Sequence, residues 1–200
     1  FRGVEMKAFD ASGAEITEKL FAPNGFMKVD ADYTAKPFEQ WSAADWPKTY
    51  ENPSYDNVFA VGIAFAPPHA ISKPNQTPTG NPVAPAPPRT GMPAGVQGRA
   101  AAETIANRIK TGNLRAPAKE ASMADMGAAC IASVGAGMLK GSAATITMGP
   151  IVPDRERFPE TGRDLHVTSG ELGLAGHWIK RLLHTMFIYK AKGHLGWSKI

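Results

Sequence analysis

The nine-residue apolar run Val58-Phe59-Ala60-Val61-Gly62-Ile63-Ala64-Phe65-Ala66, followed directly by a dense cluster of prolines, constrains the fold of this chain more than any other stretch. The run is short, bounded by turn formers and apolar at both parities, which predicts a strand buried on both faces. Gly62 within it marks a place where another group approaches the backbone closely. Nine of the seventeen prolines fall between Pro67 and Pro93. Among them, Pro82-Val83-Ala84-Pro85-Ala86-Pro87-Pro88 should be extended, stiff and poor in backbone donors, suited to the wall of a site. That loop delivers Pro88-Arg89-Thr90-Gly91-Met92 to a helix predicted over residues 94–110, with Val96, Ala100, Ile105 and Ile109 on roughly one face and Arg99, Glu103 and Lys110 available to solvent. A central strand, a loop and a helix terminus in that order describe an α/β sheet with a ligand near the carboxyl end of the strand.

Before this stretch, Val4–Phe9 and Glu15–Phe21 alternate like strands around the turn Asp10-Ala11-Ser12-Gly13, and Asn24-Gly25 signals a second turn into Phe26–Asp30. Residues 36–56 are irregular. Their aromatic residues (Phe38, Trp41, Trp46, Tyr50, Tyr55) read as a loop pinned to the body by its own rings rather than as a ligand surface. After the helix, Gly135-Ala136-Gly137-Met138-Leu139-Lys140-Gly141 is the nearest approach to a dinucleotide-binding glycine pattern. Its last glycine is one position late and no helix follows, so it reads as a turn between strands. Ala143–Met148 is a strand candidate, and the charged segment Asp154–Asp164 reads as a solvated loop. Cys130, within Ala128-Ala129-Cys130-Ile131-Ala132, is expected to be a buried, inert thiol. The last element, Leu172–Lys192, gathers Trp178, Ile179, Leu182, Leu183, Met186 and Phe187 on one face, with His177, Lys180, Arg181 and His184 opposite. That pattern suits either a core helix or a helix lying in a membrane interface.

With 200 residues and 43% hydrophobic content, the chain can bury one substantial core. A net charge of +4 does not demand a nucleic-acid partner. From His166 to Ile200 there are five Lys/Arg and one acid, so the tail alone accounts for the net charge of the chain. One cysteine rules out an internal disulfide framework. No signal-peptide pattern opens the chain, and no apolar run is long enough to span a bilayer.

Asn57–Ala64, Pro67-Pro68, Thr77-Pro78-Thr79-Gly80 and Arg89-Thr90-Gly91-Met92, in that order and spacing, resemble the C-terminal half of the sulfide:quinone oxidoreductases, flavoproteins with two dinucleotide-binding domains. Phe1-Arg2-Gly3-Val4 and Gly25–Asp30 are similar to the segments upstream, and Ala124-Asp125-Met126-Gly127 with the basic, aromatic C-terminus to the downstream half. The resemblance implies an α+β fragment that completes a two-dinucleotide-binding-domain α/β flavoprotein, with residues 1–112 in the flavoprotein core and residues 113–200 on the quinone and membrane side. Residues 36–56 look like an insertion against it.

What the resemblance implies about chemistry is equally specific. FAD would be shared with an N-terminal region that this chain lacks, and Gly62, Ile63, Arg89, Thr90 and Gly91 would contact it. In the wider superfamily a Gly-Asp pair ends the strand; Ile63 replaces the acid, so any contact there must come from backbone N–H. The redox cysteine that precedes the Ala-Asp-Met-Gly run is replaced by Ser122, which cannot form a disulfide or persulfide. The expected activity is electron transfer from a donor through FAD to a quinone, at the cytoplasmic face of a membrane bound peripherally. A missing N-terminal FAD-binding half and a second copy of the chain are the protein partners considered, with no role for nucleic acid. A relative of type II NADH dehydrogenase and a non-catalytic membrane-binding or dimerisation module are the alternatives.

Overall fold

The computed structural model describes residues 6–83 and 85–196. Phe1–Val4 of the flavoprotein resemblance, the opening of the first strand candidate at Val4-Glu5, Ala84 of the proline-rich loop and the terminal Trp197 lie outside the described residues. The architecture is α+β, with helices α1 (Thr17–Leu20), α2 (Gly91–Thr111) and α3 (Leu174–Ala191). Strands β1 (Glu51–Asn52) and β2 (Tyr55–Phe59) form one antiparallel pair, and β3 (Asn75–Gln76) and β4 (Pro82–Val83) another. Strands β5 (Ala128–Ala136), β6 (Lys140–Met148) and β7 (Ser169–Gly173) form a three-stranded sheet in that order. The chain makes two compact units, Phe1–Ala128 with Gly149–Asp164, and Ala129–Met148 with Leu165–Ile200.

In the first unit, the turn at Asp10 forms as expected. Its carboxylate accepts the Ser12 and Ala14 amides and the Ser12 hydroxyl, an arrangement that also holds its pKa below the ordinary value. The flanking strands do not extend beyond a single bridge between Phe9 and Glu15, and Thr17–Leu20 of the second candidate coils into α1. Asn24-Gly25 turns the chain as expected, with Gly25 at φ 81°. Residues 36–56 are the aromatic-pinned loop expected: Trp46 and Tyr50 are buried, and Trp41 stacks on His69 with ring centroids 3.2 Å apart. The loop is closed by Asp30, whose two carboxylate oxygens accept the Lys48, Thr49 and Tyr50 amides at 2.9, 2.7 and 2.7 Å. Tyr50 occupies the left-handed region at φ 61°, a conformation that costs energy for an aromatic residue. Those amide bonds and its own hydroxyl, donating to the Ala121 carbonyl at 2.6 Å, hold it there.

The apolar run is not a central strand. Strand β2 stops at Phe59; Gly62 turns left-handed at φ 63°, Gly62–Ala64 form a 3-10 turn, and Phe65 makes only one parallel bridge, to Met27. A strand apolar on both faces needs neighbours along both edges. Here the Gly62 N–H is taken instead by the Gln97 side chain at 2.8 Å. Gly62 is required because a Cβ there would sit 3.2 Å from the Ala94 Cβ, and because of its φ.

Helix α2 begins three residues before the predicted start and ends at Gly112, left-handed at φ 65°, whose N–H returns to the Ile109 carbonyl. The face suggested by its apolar stripe is corrected. Val96, Ile105 and Ile109 are exposed, and the buried positions are Pro93, Gln97, Ala100, Ala101, Thr104 and Arg108. The polar members of that set are fully employed. Thr104 Oγ1 donates to the Ala100 carbonyl and accepts the Lys119 amide. Arg108 forks onto Glu51 and donates to the Ala116 and Asp56 carbonyls. Buried donors and acceptors that are all satisfied outweigh an apolar stripe with no partner.

The charged loop is also corrected, since part of it is structural. Asp154 is buried and accepts the Glu156 and Arg157 amides, while Arg163 donates to the Pro150 and Ile71 carbonyls.

In the second unit, the Gly135–Gly141 stretch is a turn joining two strands, as expected; a Cβ on Gly135 would fall 2.1 Å from the Lys140 carbonyl oxygen. Helix α3 packs on the sheet face that carries Gly141, Ala143 and Thr145, where Gly141 lies against His177 and Gly176 against Ala143 and Thr145. His177 is buried there. Of the six apolar residues expected on one face of α3, Trp178, Ile179, Leu182 and Phe187 are exposed, while Leu183 and Met186 are half-buried. Cys130 is exposed, not buried, in a strand where burial alternates from residue to residue.

Candidate functional site

The sequence-predicted cofactor contacts converge on the amino end of α2. Gly62 and Arg89 line one crevice together with Trp46, Pro88, Gln97 and Met123. Thr90 is the N-cap residue and Gly91 the first residue of the helix. Ile63 stands apart from the crevice, 70% exposed, and its N–H meets no protein acceptor among the described residues.

This helix terminus is left chemically open. Thr90 makes no side-chain cap, and its Oγ1 is buried without a hydrogen-bond partner. Such an orphan hydroxyl forfeits about 1–3 kcal/mol unless something else engages it. Ala94 is the first residue whose N–H closes onto the helix, reaching the Thr90 carbonyl at 3.1 Å, and Pro93 has no N–H to offer. The Gly91 and Met92 N–H groups are thus left to point out of the terminus, where the helix dipole adds partial positive charge. Arg89 supplies a full charge beside them. Its guanidinium lies 4.9 Å from the centre of the Phe26 ring, and no carboxylate pairs with it among the described residues. Burial draws its pKa below the ordinary arginine value. An uncapped terminus beside an unpaired arginine favours an anionic or electron-rich group.

Whether a flavin suits these residues can be judged from the space around them. The crevice encloses about 10 Å³, room for about one water, so it cannot envelop a ring system. The Gly62 N–H is already committed to Gln97 and is not free for a ligand. By contrast, a Cβ on Gly91 would meet nothing within 4 Å, so the approach to the terminus is open. The most these residues could offer a flavin is one edge, at Arg89 and the Gly91 backbone, since the Thr90 hydroxyl is buried. No element among the described residues cradles a pyrophosphate, since the only candidate glycines form the β5–β6 turn.

Ser122 lies elsewhere, in a groove of about 550 Å³ whose lining includes Lys48, Glu120, Asp125 and Glu156. Its Oγ accepts the Ala124 amide at 3.2 Å, capping the 3-10 turn Met123–Asp125. No histidine lines the groove among the described residues, so no base stands ready to activate that hydroxyl. Sequence reasoning missed Gln97, Phe26 and the open Thr90 hydroxyl. Pro93 was a legible sign that α2 starts earlier, because proline is favoured in the first helical turn; the partners of Gln97 and Arg89 lie 35 and 63 residues away and leave no local pattern.

No family model matches the chain, and no curated protein matches it.

Proposed function

We propose that the chain is the C-terminal part of an FAD-dependent oxidoreductase that passes electrons to a quinone at a membrane surface, similar to the sulfide:quinone oxidoreductases. The observation that carries this reading is the open amino end of α2, where the Gly91 and Met92 N–H groups have no intrahelical partner and Arg89 immediately precedes the N-cap Thr90. FAD, when bound, supplies the two-electron redox chemistry. Arg89 and the backbone N–H groups at the amino end of α2 would hold an electron-rich edge of the ring and would favour negative charge there. Gly91 keeps that approach clear, and Gln97 locks Gly62 so that the crevice wall does not move.

The donor reading is narrower. Ser122 stands where the resemblance expects a thiol, and a hydroxyl cannot form the disulfide or persulfide that sulfide oxidation through paired thiols needs. This weighs against sulfide as donor and leaves NADH, in the manner of the type II NADH dehydrogenases, as the alternative. The outward apolar side of α3, with Lys180, Arg181, Lys190 and Lys192 close by in sequence, supports a peripheral membrane location on the quinone side. No helix among the described residues is long and apolar enough to cross a membrane.

The test is Arg89→Ala in the full-length protein. Removing the cation should lower the flavin midpoint potential by about 30 mV or more, a tenfold change for a two-electron couple, and NADH should reduce a soluble quinone where sulfide does not. An unchanged potential would leave Arg89 as scaffold and remove the main support for the cofactor site.

A further inference from the structure

The tip of the β5–β6 hairpin carries Met138 and Leu139, exposed at 64% and 82%. Turn tips ordinarily hold Gly, Asn, Asp or Ser, whose conformational and hydrogen-bonding properties close the turn. Here Gly135 and Gly137, at φ 87° and 77°, already supply the positive φ values. The two large apolar side chains are therefore not needed for the turn, and most of their surface lies in solvent. Two hydrogen bonds fasten this tip to α3: the Trp178 indole N–H donates to the Met138 carbonyl at 2.7 Å, and the His177 Nε2 lies 3.1 Å from the Gly137 carbonyl. The indole ring remains 44% exposed beside the tip, and Leu182, one turn further along α3, is 60% exposed. An exposed tip held rigidly against an exposed aromatic and an apolar helix stripe makes one surface from two separate elements.

We propose that the Met138-Leu139 tip enters the headgroup boundary of an anionic membrane as a second anchor, alongside the outward side of α3. This rests on the membrane reading of α3 given above. Charge selects the occupant. Within residues 129–148 and 165–200 there are six Lys/Arg and a single acid, Glu171, and Lys140 follows the tip directly. So basic a unit disfavours a second copy of itself and attracts anionic lipid. Trp178 has the form of an interfacial residue: its N–H is already satisfied by backbone, and its ring is free to lie at headgroup depth.

The experiment is sedimentation of the full chain with vesicles of phosphatidylcholine containing phosphatidylserine, and with phosphatidylcholine alone. Met138→Asp/Leu139→Asp should weaken partitioning onto the anionic vesicles about tenfold or more, with unchanged circular dichroism, and Met138→Phe/Leu139→Phe should retain it. If the aspartate variant binds like the parent, while Leu182→Glu/Met186→Glu does not, the tip is no anchor and the α3 reading survives. If the parent chain itself fails to bind anionic vesicles, both readings fall. If the aspartate pair instead abolishes a concentration-dependent dimer in the absence of lipid and leaves vesicle binding intact, the tip is a self-association surface and the proposal is wrong.

Discussion

Arg108 occupies a helix face where an apolar side chain would be the ordinary choice, and it is paired there with Glu51, with two backbone carbonyls as further acceptors. Removing either one leaves the other with only limited access to water. Arg108→Ala should therefore cost about 3–5 kcal/mol of unfolding free energy, as for other broken buried pairs. Replacing both partners by apolar residues, Arg108→Met/Glu51→Leu, should recover a large part of that in urea titrations. His69 presents the opposite problem. It is buried between Trp41 and Trp46, neither ring nitrogen is engaged, and burial pushes its pKa down to about 4. The unfolded chain takes up a proton near 6.5 and the folded chain only near 4, so this site favours folding above about pH 6.5 and loses that contribution as pH falls toward 4. The urea midpoint should drop between about pH 7 and pH 5, and His69→Phe, which keeps a ring between the two tryptophans, should flatten that dependence.

Helices α2 and α3 share a departure from ordinary amphipathic packing: each seats polar or small side chains against its own unit and turns most of its large apolar ones outward. In α2 the inward positions are Gln97, Ala100, Ala101, Thr104 and Arg108, and Ile109 is 72% exposed. In α3, Gly176 and His177 meet the sheet, because Gly141 and Ala143 leave room only for a close approach. Hydrophobic periodicity finds the helix in both cases, but it leaves core and interfacial packing open for α3 and does not find the buried side of α2. The consequence for α3 can be measured. Leu182→Glu/Met186→Glu should reduce binding to anionic vesicles at least about tenfold while leaving the far-ultraviolet circular dichroism and thermal midpoint nearly unchanged. A core helix would instead unfold with the same pair of charges, so a collapsed midpoint would overturn the interfacial reading.

At the scale of the molecule, the described residues offer a flavin one open helix terminus and no cradle for a pyrophosphate. The chain on its own should therefore retain no flavin absorbance after incubation with FAD and desalting, and a stoichiometric yellow product would overturn that expectation. Much of the local structure was legible beforehand. The turns at Asp10 and Asn24-Gly25, the β5–β6 turn, the strand through Ala143–Met148 and the existence of α2 and α3 follow from turn chemistry and periodicity acting over a few residues. So does the aromatic pinning of residues 36–56, since so many rings in so short a loop have nowhere else to go. Three things were decided only in the tertiary structure, two of them by a partner distant in sequence. Gln97 captures the Gly62 amide, and with Gly62 turned left-handed the apolar run breaks where a strand was expected. Glu51 and the Asp56 carbonyl draw Arg108 inward, so α2 buries the side that carries it. Burial that alternates along β5 leaves Cys130 exposed although its neighbours in sequence are apolar. A buried hydrogen bond is worth little until both of its ends are in place, so no local pattern records it; only the folded chain brings those ends together.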